Sequence, residues 1–132
     1  MRFNCVLLCE AVTARDGLIN VLGGGVTHYT RPDFPAPIAL WLAVGLALEK
    51  QSEIPGEHRL RIRIKRADDG RQIFQHEVPF TVQVEGDVDE GLVMFGIPIE
   101  GELPAPGKYR LEVEADDDQA LSTLGIVASG SE

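Results

Sequence analysis

The sequence predicts an all-β protein, a two-sheet antiparallel sandwich of seven or eight strands with immunoglobulin-like or similar topology. Apolar runs of strand length recur along the chain, Asp-Gly and Pro-Gly pairs separate them, and the clearest run alternates apolar and basic residues with a period of two. No stretch carries a convincing helical period. At 132 residues, 44% hydrophobic and 25% charged, the chain suits one folded domain over 1–128, followed by a frayed tail at 129–132.

The first run, residues 3–14, turns at Arg15-Asp16-Gly17 into a second, 18–29, because Asp-Gly readily takes up the left-handed backbone of a hairpin turn. Pro32, Pro35 and Pro37 lack the N–H that regular pairing requires and make 31–37 a loop. Residues 38–49 form the third run. Pro55-Gly56 suits a turn, after which Leu60, Ile62 and Ile64 face the core while Arg59, Arg61, Arg63 and Lys65 face out. Asp69-Gly70 leads into 72–84, where Phe74, His76, Val78, Phe80 and Val82 share one side and Pro79 marks a bulge or an edge. An acidic loop, 85–90, precedes the sixth run, 91–99. Pro106-Gly107 opens 108–115, with Tyr109, Leu111 and Val113 inward, and Asp116-Asp117-Asp118 turns the chain into a last strand, 120–127.

A net charge of −9 repels phosphate backbones and anionic membrane surfaces, so neither nucleic acid nor membrane is expected as a partner. The opening residues run straight into apolar alternation, so no signal peptide is expected, and the uncharged stretch 38–48 falls short of the ~20 residues a spanning helix needs. Cys5 and Cys9, on one extended strand, lie about 13 Å apart and beyond reach of a bridge. Free thiols fit a reducing compartment, and the expected location is cytoplasmic.

Leu7-Leu8-Cys9-Glu10-Ala11 with Asp16-Gly17-Leu18-Ile19-Asn20-Val21-Leu22-Gly23-Gly24-Gly25, then Phe34-Pro35-Ala36-Pro37, then Pro106-Gly107-Lys108-Tyr109-Arg110-Leu111, together resemble an uncharacterised family of small bacterial β-sandwich proteins in which a Leu-Gly-Gly-Gly segment follows the first hairpin. The resemblance covers nearly the whole chain. It implies a compact sandwich and brings no activity to any residue.

The candidate sites are few. Gly23-Gly24-Gly25 is followed by more strand and not by a helix N-terminus, so a kink, a bulge or a close backbone approach explains it better than a phosphate cradle. Alternating strand direction puts His28 and His58 at opposite poles, roughly 25 Å apart, too far to share a metal, and His76 reads as a hydrogen-bonded structural histidine. Cys5 and Cys9 behave as small buried hydrophobes rather than zinc ligands. None of Ser52, Ser122, Ser129 and Ser131 sits in a Gly-x-Ser-x-Gly elbow, so no catalytic residue, enzyme activity or cofactor is expected. The odd-numbered connections should gather at one pole Asp16, Glu53, Glu57, Asp87, Asp89, Glu90, Asp116, Asp117 and Asp118. That is a solvated acidic rim or, for Asp87, Asp89, Asp116, Asp117 and Asp118, a calcium cage. The basic stripe from Arg59 to Lys65 should pair across strands with Glu112 and Glu114.

The third run gives the best partner signal. Ile38, Leu40, Leu42, Val44, Leu46 and Leu48 make a core face, yet Ala39, Trp41, Ala43, Gly45 and Ala47 opposite carry no polar group. The first run repeats this with Val6, Leu8 and Val12 opposite Phe3, Cys5 and Leu7, and the sixth with Leu92 and Met94 opposite Val93, Phe95 and Ile97. The alternatives are an outer face covered by a second subunit, with Ala39, Trp41, Ala43, Gly45, Leu92 and Met94 as contacts, or a closed or strongly curled sandwich in which loops cover those positions. The expected function is a non-enzymatic protein-binding or assembly module, working as a homodimer or on another protein. The alternative is a small-ligand module for carbohydrate or calcium, using Trp41 or the acidic pole.

Overall fold

The chain is described by a computed structural model over residues 2–16, 18–48, 56–82, 91–116 and 120–130, where it is all-β, with eleven strands and no helix. Among the described residues no helix is long and apolar enough to cross a membrane. Strands β1 (Arg2–Arg15), β2 (Leu18–Gly24), β5 (Leu40–Leu48) and β8 (Gly91–Ile99) form sheet I in the order β2-β1-β5-β8. Strands β3 (His28–Arg31), β6 (Gly56–Arg66), β7 (Gln72–Val82), β10 (Gly107–Ala115) and β11 (Ala120–Gly130) form sheet II in the order β3-β11-β10-β6-β7. Two short strands, β4 (Ala36–Pro37) and β9 (Glu102–Leu103), pair with each other.

The main core lies between sheets I and II. Leu8, Leu42, Val44, Leu46, Ile97 and Ile99 come from sheet I; Leu60, Ile62, Ile64, Tyr109, Leu111, Val113 and Ile126 come from sheet II. The alternation read for β5, β6, β8 and β10 therefore points the residues where it should. Tyr109 closes one corner: its hydroxyl donates to Ala105 O (2.5 Å) and accepts from Ala105 N–H (3.3 Å), tying the Pro106-Gly107 turn to the strand it opens. Tyr29 does the same for the proline-rich segment, donating to Pro37 O (2.6 Å) and accepting from Ala39 N–H (3.0 Å).

The expected seven or eight strands become eleven, because the run read as 18–29 is two strands in different sheets and because β4 and β9 form within segments read as loops. The break falls at Gly23-Gly24-Gly25. Gly23 (φ 61°) and Gly25 (φ 88°) take the left-handed backbone that side chains resist, and a Cβ at Gly23 would meet the Glu10 side chain at 2.6 Å. Gly25 and Val26 N–H both donate to Leu8 O (2.8 and 2.9 Å) as the chain crosses over, and β3 then pairs with β11 in parallel.

That additional reversal changes which loops share a pole. β1 runs antiparallel to β5, so Asp16 lies at the end away from Gly56 and Asp116, not beside them as the acidic-pole expectation required. At the C-terminus, Ser129 and Gly130 pair with Thr30 and Arg31 instead of fraying, while residues 131–132 lie outside the described residues.

Alternation also fails in β1. A bulge between Phe3 and Cys5 lets Phe3, Val6 and Leu8 all pack on the main core, whereas Val12 joins Cys9 on the other side. There sheet I curls upon itself, as Cys9, Val12 and Ala43 form a second buried cluster with Ile19 and Trp41 against it. Val12 reaches over β5 to β8, its Cγ1 2.7 Å from where a Cβ on Gly96 would stand. Small residues at 43 and 96 are what allow this curl.

Candidate functional site

The two outward faces are chemically opposite. On sheet II, register places Arg63 beside Glu112 and Gln75, and Arg61 beside Glu114 and Glu77. Arg63 Nη2 donates to Glu114 Oε2 at 2.7 Å, Arg61 Nε donates to Glu77 Oε1 at 3.1 Å, and Lys65 Nζ stands 3.3 Å from Glu112 Oε2. Glu114 is 5% exposed, its carboxylate enclosed by the two arginines. The basic stripe is thus matched by acids, as expected from Glu112 and Glu114; Glu77 is the partner that sequence reasoning missed. Matched charges of this kind leave little net field for a nucleic acid or acidic ligand.

On sheet I the outward side is apolar. Leu7, Val21 and Leu92 are exposed, and Cys5, Trp41, Ala47 and Met94 are half-buried around them. Leu7 and Val21 stand side by side over Gly24, where a Cβ would lie 3.7 and 2.9 Å from them. The expected contact residues divide into two groups here. Ala39 and Leu92 are exposed and Trp41 and Met94 partly so, but Ala43 and Gly45 are buried by the chain's own side chains. Met94 Sδ lies 3.0 Å from the Cβ position of Gly45, and the Cys9–Val12 cluster covers Ala43. The curl of the sheet covers the apolar residues at these two positions. Trp41 rests on that apolar cluster. Burial pushes the Cys9 thiol up from its ordinary value and so favours its neutral form.

A second feature lies at the pole where β6 begins and β10 ends. His58 Nδ1 donates to Asp116 Oδ2 at 2.6 Å; Asp116 Oδ1 accepts from Arg59 N–H at 2.8 Å, and Asp116 N–H donates to Arg59 O at 2.9 Å. Asp116 is held with φ 45°, in the left-handed region that aspartate enters more readily than most residues. The His58 side chain is 7% exposed and stacks on Phe80 (5.3 Å), which meets Phe95 edge-on (4.7 Å). An open groove of about 690 Å³ runs past Glu57, His58, Arg59, Pro79, Phe80, Thr81 and Asp116. His58 Nε2 is buried without a hydrogen-bond partner.

This pair was not legible in the sequence. His58 and Asp116 are 58 positions apart, and only the pairing of β6 with β10 brings them together. Asp116, one of the calcium candidates, is occupied by His58 and Arg59, while Asp87, Asp89, Asp117 and Asp118 lie outside the described residues. Among the described residues no group of three or more His, Cys, Asp or Glu is arranged to hold a metal ion. His28 pairs with Val127, which in turn faces Lys108 at the far end of β10, so it does sit at the pole opposite His58. His76 is exposed on β7 and tilted against Phe74 (6.5 Å) rather than buried in a hydrogen-bonded site, because β7 is an edge strand.

Comparison with known proteins adds one finding. Residues 4–126 match the model of a family of unknown function (DUF6941). No curated protein matches the chain.

Proposed function

Since the chain belongs to the DUF6941 family, whose function is unknown, we propose from the geometry alone that it is a non-enzymatic protein-binding or assembly module, meeting another protein chain across the outward side of sheet I. One observation carries this role: sheet II turns a matched ladder of charge to solvent, whereas sheet I turns Leu7, Val21, Trp41, Leu92 and Met94. A sheet face made for water alternates polar residues outward, and an apolar one gains by being covered. The scaffold is an immunoglobulin-like sandwich on this account, and the unbridged Cys5 and Cys9 suit a reducing, cytoplasmic setting. Leu92→Glu tests it. Leu92 is 56% exposed, so the melting temperature should hold, while proteins retained from the native host by the wild-type chain are no longer retained. Identical partners on both chains would refute the assignment.

One observation favours a second reading, a small-ligand module at the His58 groove rather than at Trp41 or the acidic pole. His58 Nε2 is a buried hydrogen-bonding atom left without a partner beside an open groove. Thermal-shift screening with His58→Phe as the control decides it: a ligand of this groove stabilises the wild type and not the variant.

A further inference from the structure

Along the outward side of sheet II the match of charge has an end. Arg61 and Arg63 each reach two acids and Lys65 reaches Glu112. Beside Lys65, however, the residue directly opposite on β10 is Arg110, and like charges so placed oppose the pairing. Lys108 follows two residues away on the same side of β10. Both Lys108 and Arg110 are exposed, and among the described residues neither has an acid partner. A chain that carries −9 thus keeps two uncompensated cations at one corner of one sheet.

Gly125 lies beside them, paired with Arg110 across β11. Glycine weakens a strand, and in a strand interior it ordinarily marks a bulge, a left-handed backbone, a tight contact or the close approach of a ligand. The first three do not apply. The β10–β11 ladder runs from Gly107–Ala128 to Ala115–Ala120 without a register shift, Gly125 does not take the left-handed backbone, and a Cβ on it would meet nothing within 4 Å. The missing side chain instead opens a depression of about 320 Å³ whose walls include Ala67, Lys108, Arg110, Thr123 and Val127. Residues paired across a ladder point to the same side, and Lys108 pairs with Val127, Arg110 with Gly125 and Glu112 with Thr123. The two cations, the threonine hydroxyl and the bare backbone of Gly125 therefore share the outward side.

We infer that this depression binds the phosphate group of a small soluble phosphate monoester, seated over Gly125. The cations select the group. A phosphate monoester carries about −1.5 to −2 at neutral pH, enough to answer both Lys108 and Arg110, whereas a carboxylate answers only one of them. The Arg110 guanidinium offers a fork of donors to two phosphate oxygens, Lys108 a point charge, and the Thr123 hydroxyl a further donor. The volume sets the size of the rest: it suits a single ring or a short chain, with its apolar side on Val127 and Ala67. A nucleic acid, with a charge at every step, is repelled by the remainder of the chain. The site lies on sheet II, apart from the outward side of sheet I and from the His58 groove, and depends on neither reading proposed for them.

Titration of the full-length chain with phenyl phosphate, followed by amide NMR, tests this. The amides of Gly125 and Val127 should shift saturably at millimolar ligand. Phenol should leave them in place, and benzoate, with its single charge, should bind about tenfold more weakly. Arg110→Gln and Lys108→Gln should each weaken phenyl phosphate by about tenfold. Gly125→Val separates binding from folding: its Cβ meets nothing of the chain and valine suits a strand, so the melting temperature should hold or rise while binding is lost. No saturable shift at millimolar phenyl phosphate, equal affinity for benzoate, or binding that survives both Arg110→Gln and Gly125→Val would each overturn the inference.

Discussion

Glu114 shows how one side chain can organise a surface. Among the described residues it is the one charged residue that is buried, and Arg61 and Arg63 each reach it while keeping a second acid, Glu77 and Glu112 respectively. Removing a partner from a buried ion pair costs several kcal/mol when the remaining charge is stranded, but here neither arginine is. Glu114→Ala should therefore destabilise by about 2 kcal/mol, read as a fall in urea midpoint with unchanged slope. Cys9 gives a pH-dependent expectation. Its burial raises the thiol's pKa, so the neutral form stabilises the fold below the unfolded-state value, and that contribution is lost as pH climbs through the folded-state value. In mildly alkaline solution a thiol reagent should label Cys5, which is partly exposed, well ahead of Cys9; equal rates would contradict the buried placement. The pairing of the arginine stripe with Glu112 and Glu114 was readable beforehand because alternation fixes which residues face out. The His58–Asp116 contact was not, because alternation says nothing about which strand lies next to which.

At the scale of the strand, sequence was most informative where a run is straight. The residues of β6 and β10 point as period two requires, and the Pro106-Gly107 turn starts its strand where expected. It was least informative where glycine or a bulge resets the phase. Gly23 and Gly25 divide one apparent run between two sheets, and the irregularity after Phe3 exchanges the sides of β1. A flexible glycine permits a crossover without announcing it, so the pattern alone could not separate a kinked strand from two strands. The corner at Tyr109 yields a direct test. Tyr109→Phe keeps the buried ring but leaves Ala105 without its hydroxyl partner, and should cost about 1–1.5 kcal/mol; no change in stability would show the corner to be held by packing alone.

The whole molecule is governed by the curl of sheet I. The main core was foreseeable from composition and periodicity, but the pattern offered only a second subunit or a curled sandwich covered by loops, since Ala43 and Gly45 suit either cover. A sheet closing upon its own outward side with strand side chains was not among them. Val12 lying against Gly96 decides for closure at that point. Gly96→Ala would put a methyl group within 2.7 Å of Val12 Cγ1 and force β8 away from β1, for an expected loss of about 2 kcal/mol. If the variant proves as stable as the parent, the curl is looser than the contact indicates. The central position of β10 has a consequence for synthesis. It lies between β6 and β11 and supplies Tyr109, Leu111 and Val113 to the main core, to which β11 adds Ile126 and Ala128. A nascent chain that has not yet emerged through these late segments leaves β6 without its partner β10 and the main core without the side chains that β10 and β11 supply. Folding on the ribosome must therefore wait until almost the whole of this sequence is outside the exit tunnel, and until then a chaperone has a clear target.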